Sequence, residues 1–138
     1  MSAKIEKFTI STKGFDDLID ITSKVQGIIS SFGVKAGIAN IAVTSSCASI
    51  LILECEAGLA LDLPKFLDEL VPLNKIYQHD NMWHDGNAHA HLKFCLFSNN
   101  ITLPIEDNKI ILDTWQKIVL IDFDNKPRTR QIVVSVVS

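Results

Sequence analysis

Nearly continuous apolar runs constrain the fold of this chain more than any other feature. Two of them cover residues 37–43 and 48–53, and the segment 131–137 is almost entirely β-branched. β-Branched residues favour strands, and a strand that is apolar at nearly every position must be covered on both faces or packed at a subunit contact. The runs at 37–43 and 48–53 are therefore predicted to be adjacent buried strands.

Helical periodicity surrounds these strands. After an opening strand over residues 4–12, apolar positions recur at three- and four-residue spacing from Asp16 to Phe32, and Gly33 follows where a C-terminal cap is expected. A second helix is predicted over 59–70, with Pro64 tolerable only in its first turn.

Turn signals divide the C-terminal half into two hairpins. One is centred on Glu106-Asp107-Asn108, and a longer one joins strands 116–123 and 130–137 through residues 124–127. This order of elements predicts an α+β fold with a largely antiparallel sheet, formed as a single domain by residues 1–138.

The composition indicates a globular chain and gives no sign of a partner that is bound mainly through charge. The 138 residues are 47% apolar and 21% charged, with a net charge of −3, so neither nucleic acid nor an anionic membrane is an expected partner. No apolar stretch predicts a membrane span or a signal peptide, and a cytoplasmic location is expected. Cys47, Cys55 and Cys95 lie among apolar residues and are predicted to be buried, reduced thiols.

All four histidines fall within residues 79–91. In an extended backbone His89 and His91 point to the same side, and with Asp85 they could bind a divalent metal ion or hold a phosphate, completed by His79 or His84. The alternative is that two of the four are surface loop residues and one bonds the backbone.

The Asp85-Gly86-Asn87 step precedes an expected helix start near His89. Asn87 can cap that helix, and a capped N-terminus favours phosphate or carboxylate ligands that a neutral histidine could protonate or deprotonate. A purely structural cap explains the step equally well.

Arginines and a tryptophan add candidates near the second hairpin. Arg128 and Arg130 share a face of a strand and could bind phosphate, or they could be solvated or paired with Asp122 and Asp124. Trp115 is predicted to anchor the core or a subunit interface.

Covalent catalysis is not expected. The segment 44–49 contains hydroxyls and a thiol, but nothing in the sequence places a histidine beside Cys47.

Three segments taken together resemble a known family. They are Trp83-His84-Asp85-Gly86-Asn87-Ala88-His89-Ala90-His91 with His79 before it, Leu112-Asp113-Thr114-Trp115-Gln116, and Asp122-Phe123-Asp124-Asn125-Lys126-Pro127-Arg128-Thr129-Arg130. The chain resembles the YjbQ-like family of secondary thiamine-phosphate synthases over nearly its whole length. The resemblance implies an α/β sandwich that assembles as a homotrimer, with a polar pocket near subunit contacts.

The family's activity implies a reaction and a set of site residues. A thiazole phosphate alcohol would displace pyrophosphate from a pyrimidine diphosphate, with a divalent metal ion, Mg or Zn, as cofactor and a small phosphorylated or anionic molecule as ligand. The implied catalytic residues are His89, His91 and Asp85, and the implied metal ligands are His79, His89 and His91. The implied ligand-binding residues are Asn87, Ser45, Glu54, Thr114, Trp115, Gln116, Arg128 and Arg130.

The chain departs from the family pattern after its first buried strand. The usual histidine, asparagine and aspartate are replaced by Ser45, Leu53 and Ala57, Glu54 is retained, and Asp113 replaces the glycine before Thr114. Three hypotheses therefore stand: a YjbQ-like enzyme acting on a phosphorylated small molecule, a non-catalytic trimer that binds a metal ion or an anion, and a structural paralogue that forms mixed trimers with an intact relative.

Overall fold

The computed structural model describes residues 2–138 and contains two antiparallel sheets with four helices. The elements follow the chain in the order β1 (Ala3–Thr12), β2 (Asp17–Asp20), α1 (Thr22–Phe32), β3 (Ala36–Val43), β4 (Ala48–Leu53), α2 (Ala57–Leu70), α3 (Gln78–Trp83), α4 (Ala88–Leu96), β5 (Asn100–Glu106), β6 (Lys109–Ile110), β7 (Lys117–Asp122) and β8 (Arg128–Val137). The predicted α+β class with a largely antiparallel sheet is confirmed.

The larger sheet has the strand order β1-β8-β3-β5-β6, and the smaller has the order β2-β7-β4. The main core lies between the two sheets and α1. It includes Val25 and Ile29 from α1, Ile41 and Ile132 from the larger sheet, and Leu120 from the smaller. Burial of such side chains contributes about 1.5–3 kcal/mol each.

The smaller sheet is covered on its second face as well. There Cys47, Ile121 and Phe123 pack with Leu67 of α2 and Ala90 of α4. Both faces of β4 and β7 are thus buried, which explains why these strands are apolar at nearly every position. The outer face of β3 differs, since Ile38 is half exposed, and β3 alternates accordingly.

The predicted start of the first helix is wrong. Residues 17–20 form β2 and not the start of a helix, because their backbone pairs with β7, from Asp17 opposite Asp122 to Asp20 opposite Val119. The Asp20 carboxylate then accepts from the backbone N–H of Thr22, at 2.9 Å, where α1 begins. Helix α1 ends as predicted at Gly33, whose φ is 66°.

Helix α2 begins two residues earlier than expected and contains Pro64 in its interior. The start is fixed by Glu56, whose carboxylate accepts hydrogen bonds from the backbone N–H groups of Gly58 and Leu59. This cap lowers the pKa of Glu56. The predicted restriction of Pro64 to the first turn is therefore wrong.

The second predicted hairpin is not a hairpin. Strand β7 pairs with β2 and β4, whereas β8 pairs with β1 and β3, so residues 123–127 cross from one sheet to the other. Strands β3 and β4 likewise belong to different sheets and are not paired neighbours. The shorter hairpin is confirmed, with Ile105 opposite Ile110 and a turn at Asp107 and Asn108, both at positive φ.

Candidate functional site

The histidine segment folds as two short helices joined by a turn, and not as a loop leading into one helix. His79 lies on α3, His91 lies on α4, and their rings pack edge to face with centroids 4.6 Å apart. His84 ends α3 in the left-handed conformation, with φ 56°. The turn brings Asp85 back toward His79, with Oδ1 3.6 Å from Nε2.

His79 has an unsatisfied ring nitrogen. Its Nε2 is buried without a hydrogen-bond partner, since the 3.6 Å to Asp85 exceeds hydrogen-bonding distance. Leaving a buried polar atom unpaired costs about 1–3 kcal/mol. A ligand atom or a metal ion bound to His79 Nε2 would remove this cost.

The Asp85 carboxylate is held by its neighbours. With its nitrogen turned toward Asp85, the Asn87 amide donates to the two carboxylate oxygens at 3.0 and 3.2 Å. The Asp85 backbone carbonyl accepts from Asn125 Nδ2 at 2.8 Å. Asn87 thus orients a carboxylate and makes no side-chain cap on α4.

The start of α4 is occupied by an anion from the chain itself. Asp80 Oδ1 accepts from the backbone N–H of Ala88 at 3.0 Å. A carboxylate near the positive end of a helix is stabilising, and here it takes one of the donors that an external anion would use. Asp80 is a residue that the sequence did not single out.

His91 is anchored by the segment that carries Ser45. Its Nδ1 donates to the backbone carbonyl of Ser46 at 3.1 Å, which leaves Nε2 as the nitrogen with a free lone pair. Cys47 Sγ lies 3.6 Å from Nδ1 and 3.8 Å from Nε2. Ser45 Oγ accepts from the backbone N–H of Cys47 at 3.0 Å.

Cys47 thus lies beside a histidine, contrary to expectation, but the arrangement does not activate a nucleophile. The near-equal distances to both ring nitrogens place the sulfur off the lone pair of either one. Burial and then the charge of Asp124 raise the pKa of the Cys47 thiol, which keeps it protonated. Of the other cysteines, Cys55 and Cys95 are exposed, so the prediction that both are buried is wrong.

His89 faces away from His79 and His91. It is buried, and its Nε2 donates to the backbone carbonyl of Phe123 at 3.0 Å. Burial, with the nearby charge of Lys93, lowers the pKa of His89, so the ring is neutral. Because α4 is helical, residues two apart point about 200° from each other, and His89 and His91 lie on different faces.

The predicted metal set of His79, His89 and His91 is therefore not brought together around one point. Within residues 2–138 no three His, Cys, Asp or Glu side chains are close enough to hold a metal ion without movement. The residues that the structure does bring together are His79, His91 and Asp85.

The two candidate arginines are paired with buried aspartates. Arg130 donates to Asp122 through Nε at 2.7 Å and through Nη2 at 3.0 Å, and it reaches Asp124 at 3.1 Å. Arg128 Nε donates to Asp124 at 2.7 Å. Of the alternatives left open by the sequence, the structure shows the pairing with Asp122 and Asp124.

The remaining candidates lie at the opposite end of β7. Thr114, Trp115 and Gln116 precede the strand and are exposed, and Glu54 follows Leu53, the β4 partner of Lys117. Six residues of strand, about 20 Å at 3.4 Å per residue, separate this segment from Phe123. Within one chain the candidates therefore form two groups and not one pocket.

No helix within residues 2–138 is both long enough and apolar enough to cross a bilayer.

Comparison with known proteins gives relatives of similar length to this chain. A protein of Archaeoglobus fulgidus is 37% identical over 128 residues, which are 93% of this chain and 97% of the relative. One of Methanothermobacter thermautotrophicus is 35% identical over 136 residues, covering 99% and 93% of the two chains. Both are described only as UPF0047 proteins.

Solved structures show the same fold. A YbjQ-like protein of unknown function from Sulfolobus solfataricus superposes with a TM-score of 0.91 at 32% identity, covering 98% of this chain and 96% of the other. A family protein from Clostridium acetobutylicum gives 0.87 at 32% identity, covering 96% and 99%. The family model described as UPF0047 protein YjbQ-like matches residues 6–138. This chain belongs to the YjbQ-like UPF0047 family.

Proposed function

We propose that this protein binds a divalent metal ion with His79, His91 and Asp85, and that it acts as a transferase on a phosphorylated small molecule. The observation that carries the proposal is the buried, unpartnered Nε2 of His79, which faces the Asp85 carboxylate beside the His91 ring. Two imidazoles and a carboxylate are a donor set that zinc accepts, whereas magnesium prefers oxygen ligands alone. Zinc is the better fit.

The groups around these three side chains support the assignment. Metal-binding histidines usually donate their second N–H to a carbonyl or carboxylate, and His91 does so to Ser46. The Asn87 amide holds Asp85 by two hydrogen bonds. The proposal requires the His79 and Asp85 side chains to move, since the three donors do not meet at one point in residues 2–138 as the structure describes them.

The proposed reaction is the one that the family resemblance implies, transfer of a pyrimidine group from its diphosphate to a thiazole phosphate alcohol. A bound divalent ion would offset the charge of the departing diphosphate. Because Nδ1 of His91 donates to Ser46 and its Nε2 is assigned to the metal ion, the proton of the attacking hydroxyl would pass to the departing diphosphate or to water and not to His91.

We propose that the complete pocket forms between copies of the chain in a homotrimer. The candidates fall into two groups at opposite ends of β7, so segment 114–116 of a neighbouring copy could approach the histidine cluster. Large apolar side chains are also exposed on and near α2, α3 and α4, namely Leu61, Phe66, Leu70, Ile76, Met82, Trp83, Leu92 and Leu96. Such a surface on a chain of this size suggests a subunit interface.

A non-catalytic binding protein is the second candidate function. Ser45 replaces the family's histidine and its hydroxyl is taken up by the backbone of Cys47, so it supplies no proton carrier. Arg130 is matched to two aspartates and has little capacity left for phosphate. These two observations favour a site that retains its ligands but has lost part of its chemistry.

Metal binding is tested by zinc titration of the chelator-treated protein in a calorimeter. The wild type should bind one zinc ion per chain, and His79→Ala and His91→Ala should each weaken binding at least tenfold. His84→Asn is the matched control, because it removes an exposed histidine of the same segment and asparagine tolerates positive φ. Unchanged affinity in both alanine variants would overturn the metal assignment.

The transferase is tested by mixing the thiazole phosphate and the pyrimidine diphosphate with zinc-loaded protein and measuring pyrophosphate release. The proposal expects a rate above that of His91→Ala. Equal rates in a protein that binds zinc would reject the transferase and leave the binding protein.

A further inference from the structure

A second cavity lies on the opposite side of α4 from His79 and His91. It has a volume of about 320 Å³, at the lower end of the range typical of small-molecule sites. Its lining shares no residue with the proposed metal cluster and comprises Phe15, Asp16, Pro64, Lys65, Asp68, Leu73, Asn74, His89, Lys93 and Phe123.

A buried ion pair forms part of the wall of this cavity. Lys93 Nζ donates to Asp16 Oδ2 at 2.6 Å, and both side chains are more than nine-tenths buried. Desolvation raises the pKa of Asp16, although the contact with Lys93 opposes it. An ion pair buried in this way contributes little net stability to a fold.

The second carboxylate oxygen of Asp16 has no partner. Oδ1 is buried and accepts no hydrogen bond, and Lys93 uses only one of its three donors within the protein. An unpaired acceptor thus lies beside a cation with spare donors.

The backbone that presents this acceptor is strained. Phe15 and Asp16 have φ values of 54° and 64°. The backbone N–H of Phe15 donates to the backbone carbonyl of Asp124 at 2.7 Å. A bulky residue at positive φ is strained, and such strain is concentrated at functional positions such as ligand-binding sites. The strain places the exposed Phe15 side chain in the wall of the cavity and the Asp16 carboxylate deep inside.

The charges around the cavity balance. The Asp16 and Lys93 charges cancel, Lys65 and Asp68 have opposite signs, and His89 is neutral. The apolar part of the wall is formed by Phe15, Pro64, Leu73 and Phe123. Nothing in this cavity favours a phosphate, and a neutral molecule is the better match.

We propose that this cavity binds a small, uncharged cyclic molecule that carries a hydrogen-bond donor next to an acceptor, as in a cyclic amide or an amino-substituted nitrogen heterocycle. Its donor would bond to Asp16 Oδ1 and its acceptor would receive a bond from Lys93 Nζ. The ring would lie against Phe15 and Leu73. The site is separate from the proposed metal cluster and does not depend on it.

The test uses two probes that differ in one donor. The full-length protein labelled with ¹⁵N is titrated with 2-pyridone, which has N–H beside C=O, and with N-methyl-2-pyridone, which lacks the N–H. We expect 2-pyridone to shift the backbone amide signals of residues 15, 16 and 93, and to bind at least tenfold more tightly than the methylated probe. Equal affinities, or shifts confined to residues outside the cavity, would overturn the proposal.

Two variants accompany the probes. Asp16→Asn keeps a residue tolerant of positive φ, but with its oxygen toward Lys93 it presents an N–H where the acceptor was, and 2-pyridone should bind at least tenfold more weakly. His79→Ala should bind 2-pyridone as the wild type does, which distinguishes this site from the metal cluster. If Asp16→Asn fails to fold, the two probes on the wild type decide the question alone.

Discussion

The two ends of strand β7 differ in almost every physical respect. At the end that leads to Phe123, Asp122 and Asp124 are fully buried and bonded to Arg128 and Arg130. At the other end Trp115 is 66% exposed. Strand β7 thus follows an exposed segment and ends among buried, ion-paired aspartates.

Two motifs that carry the family resemblance therefore have different environments in this chain, one buried and ion-paired and the other exposed. The motif that contains Asp122 and Arg130 builds a rigid corner between the two sheets, since it satisfies its charges internally. The segment 114–116 makes its hydrogen bonds locally, with Asp113, and its side chains are exposed.

Asp122→Ala should be the most damaging change. Asp122 accepts from Thr12 Oγ1 at 2.7 Å, from the backbone of Asp124 at 3.0 Å and from Arg130. Removing it leaves Arg130 largely buried with fewer partners, at a cost of about 3–5 kcal/mol. Urea denaturation measures the loss. Asp113→Ala, at the open end, is the control and should cost about 0.5 kcal/mol or less.

Acid should weaken the buried end. Burial raises the pKa of Asp124, but the hydrogen bonds from Arg128, the Asn125 N–H and Arg130 outweigh it, so the pKa lies below its ordinary value. A carboxyl with a depressed folded pKa contributes stability above its unfolded pKa of about 3.9 and loses it as the pH falls through the folded pKa. The free energy of unfolding should therefore decline below about pH 4.

Arg128→Gln sharpens the same prediction. The variant should lose about 1 kcal/mol or less at neutral pH, because the Arg128 side chain is partly exposed, and its decline in acid should be smaller. Lys126→Gln removes a charge from the same turn without removing an ion pair. If the free energy of unfolding of Arg128→Gln declined in acid as steeply as that of Lys126→Gln, the lowered pKa of Asp124 could not be attributed to Arg128.

Gln116→Ala should have little effect on stability. The side chain is exposed and its Oε1 accepts from the backbone N–H of Asp113 at 2.9 Å. We expect a loss of about 0.5 kcal/mol or less in urea denaturation. A loss as large as that of Asp122→Ala would show that the two ends do not differ in the way described.

Trp115→Ala should have the smallest effect on the folding of one chain and a clear effect on assembly. An exposed tryptophan contributes little to a monomer, but aromatic residues commonly anchor interfaces. Sedimentation should show a shift toward smaller species, whereas Ile5→Ala, which removes an exposed apolar side chain from β1, should not. Unchanged sedimentation would remove segment 114–116 from the proposed interface.

Local signals in the sequence predicted local structure well. Gly33 ends α1 and Asp107-Asn108 forms the hairpin turn, because each position requires positive φ and the residues there adopt it readily. The buried strands were predictable from their apolar runs. The pairing of β7 and β8 was not, since a turn signal does not specify which sheet receives the next strand.

The candidate site was predictable only in part. His79, Asp85, Asn87 and His91 come together as expected, because they lie on adjacent short elements. His89 was misplaced because the two-residue phase of an extended backbone does not apply in a helix. Lys93 could have been found as the residue one helical turn after His89. Nothing in the sequence indicated that Asp16 lines a cavity, since its position depends on backbone strain that residue types do not reveal.

The position of β8 has a consequence for how the chain folds. This strand follows all the others in sequence, yet it lies between β1 and β3 in the larger sheet. During synthesis the edges of β1 and β3 that pair with β8 therefore remain unpaired until residues 128–137 emerge. Exposed strand edges of this kind promote aggregation. Such long-range pairing also slows folding. The charged side chains of β1, which are Lys4, Glu6 and Lys7, would help keep its unpaired edge from aggregating.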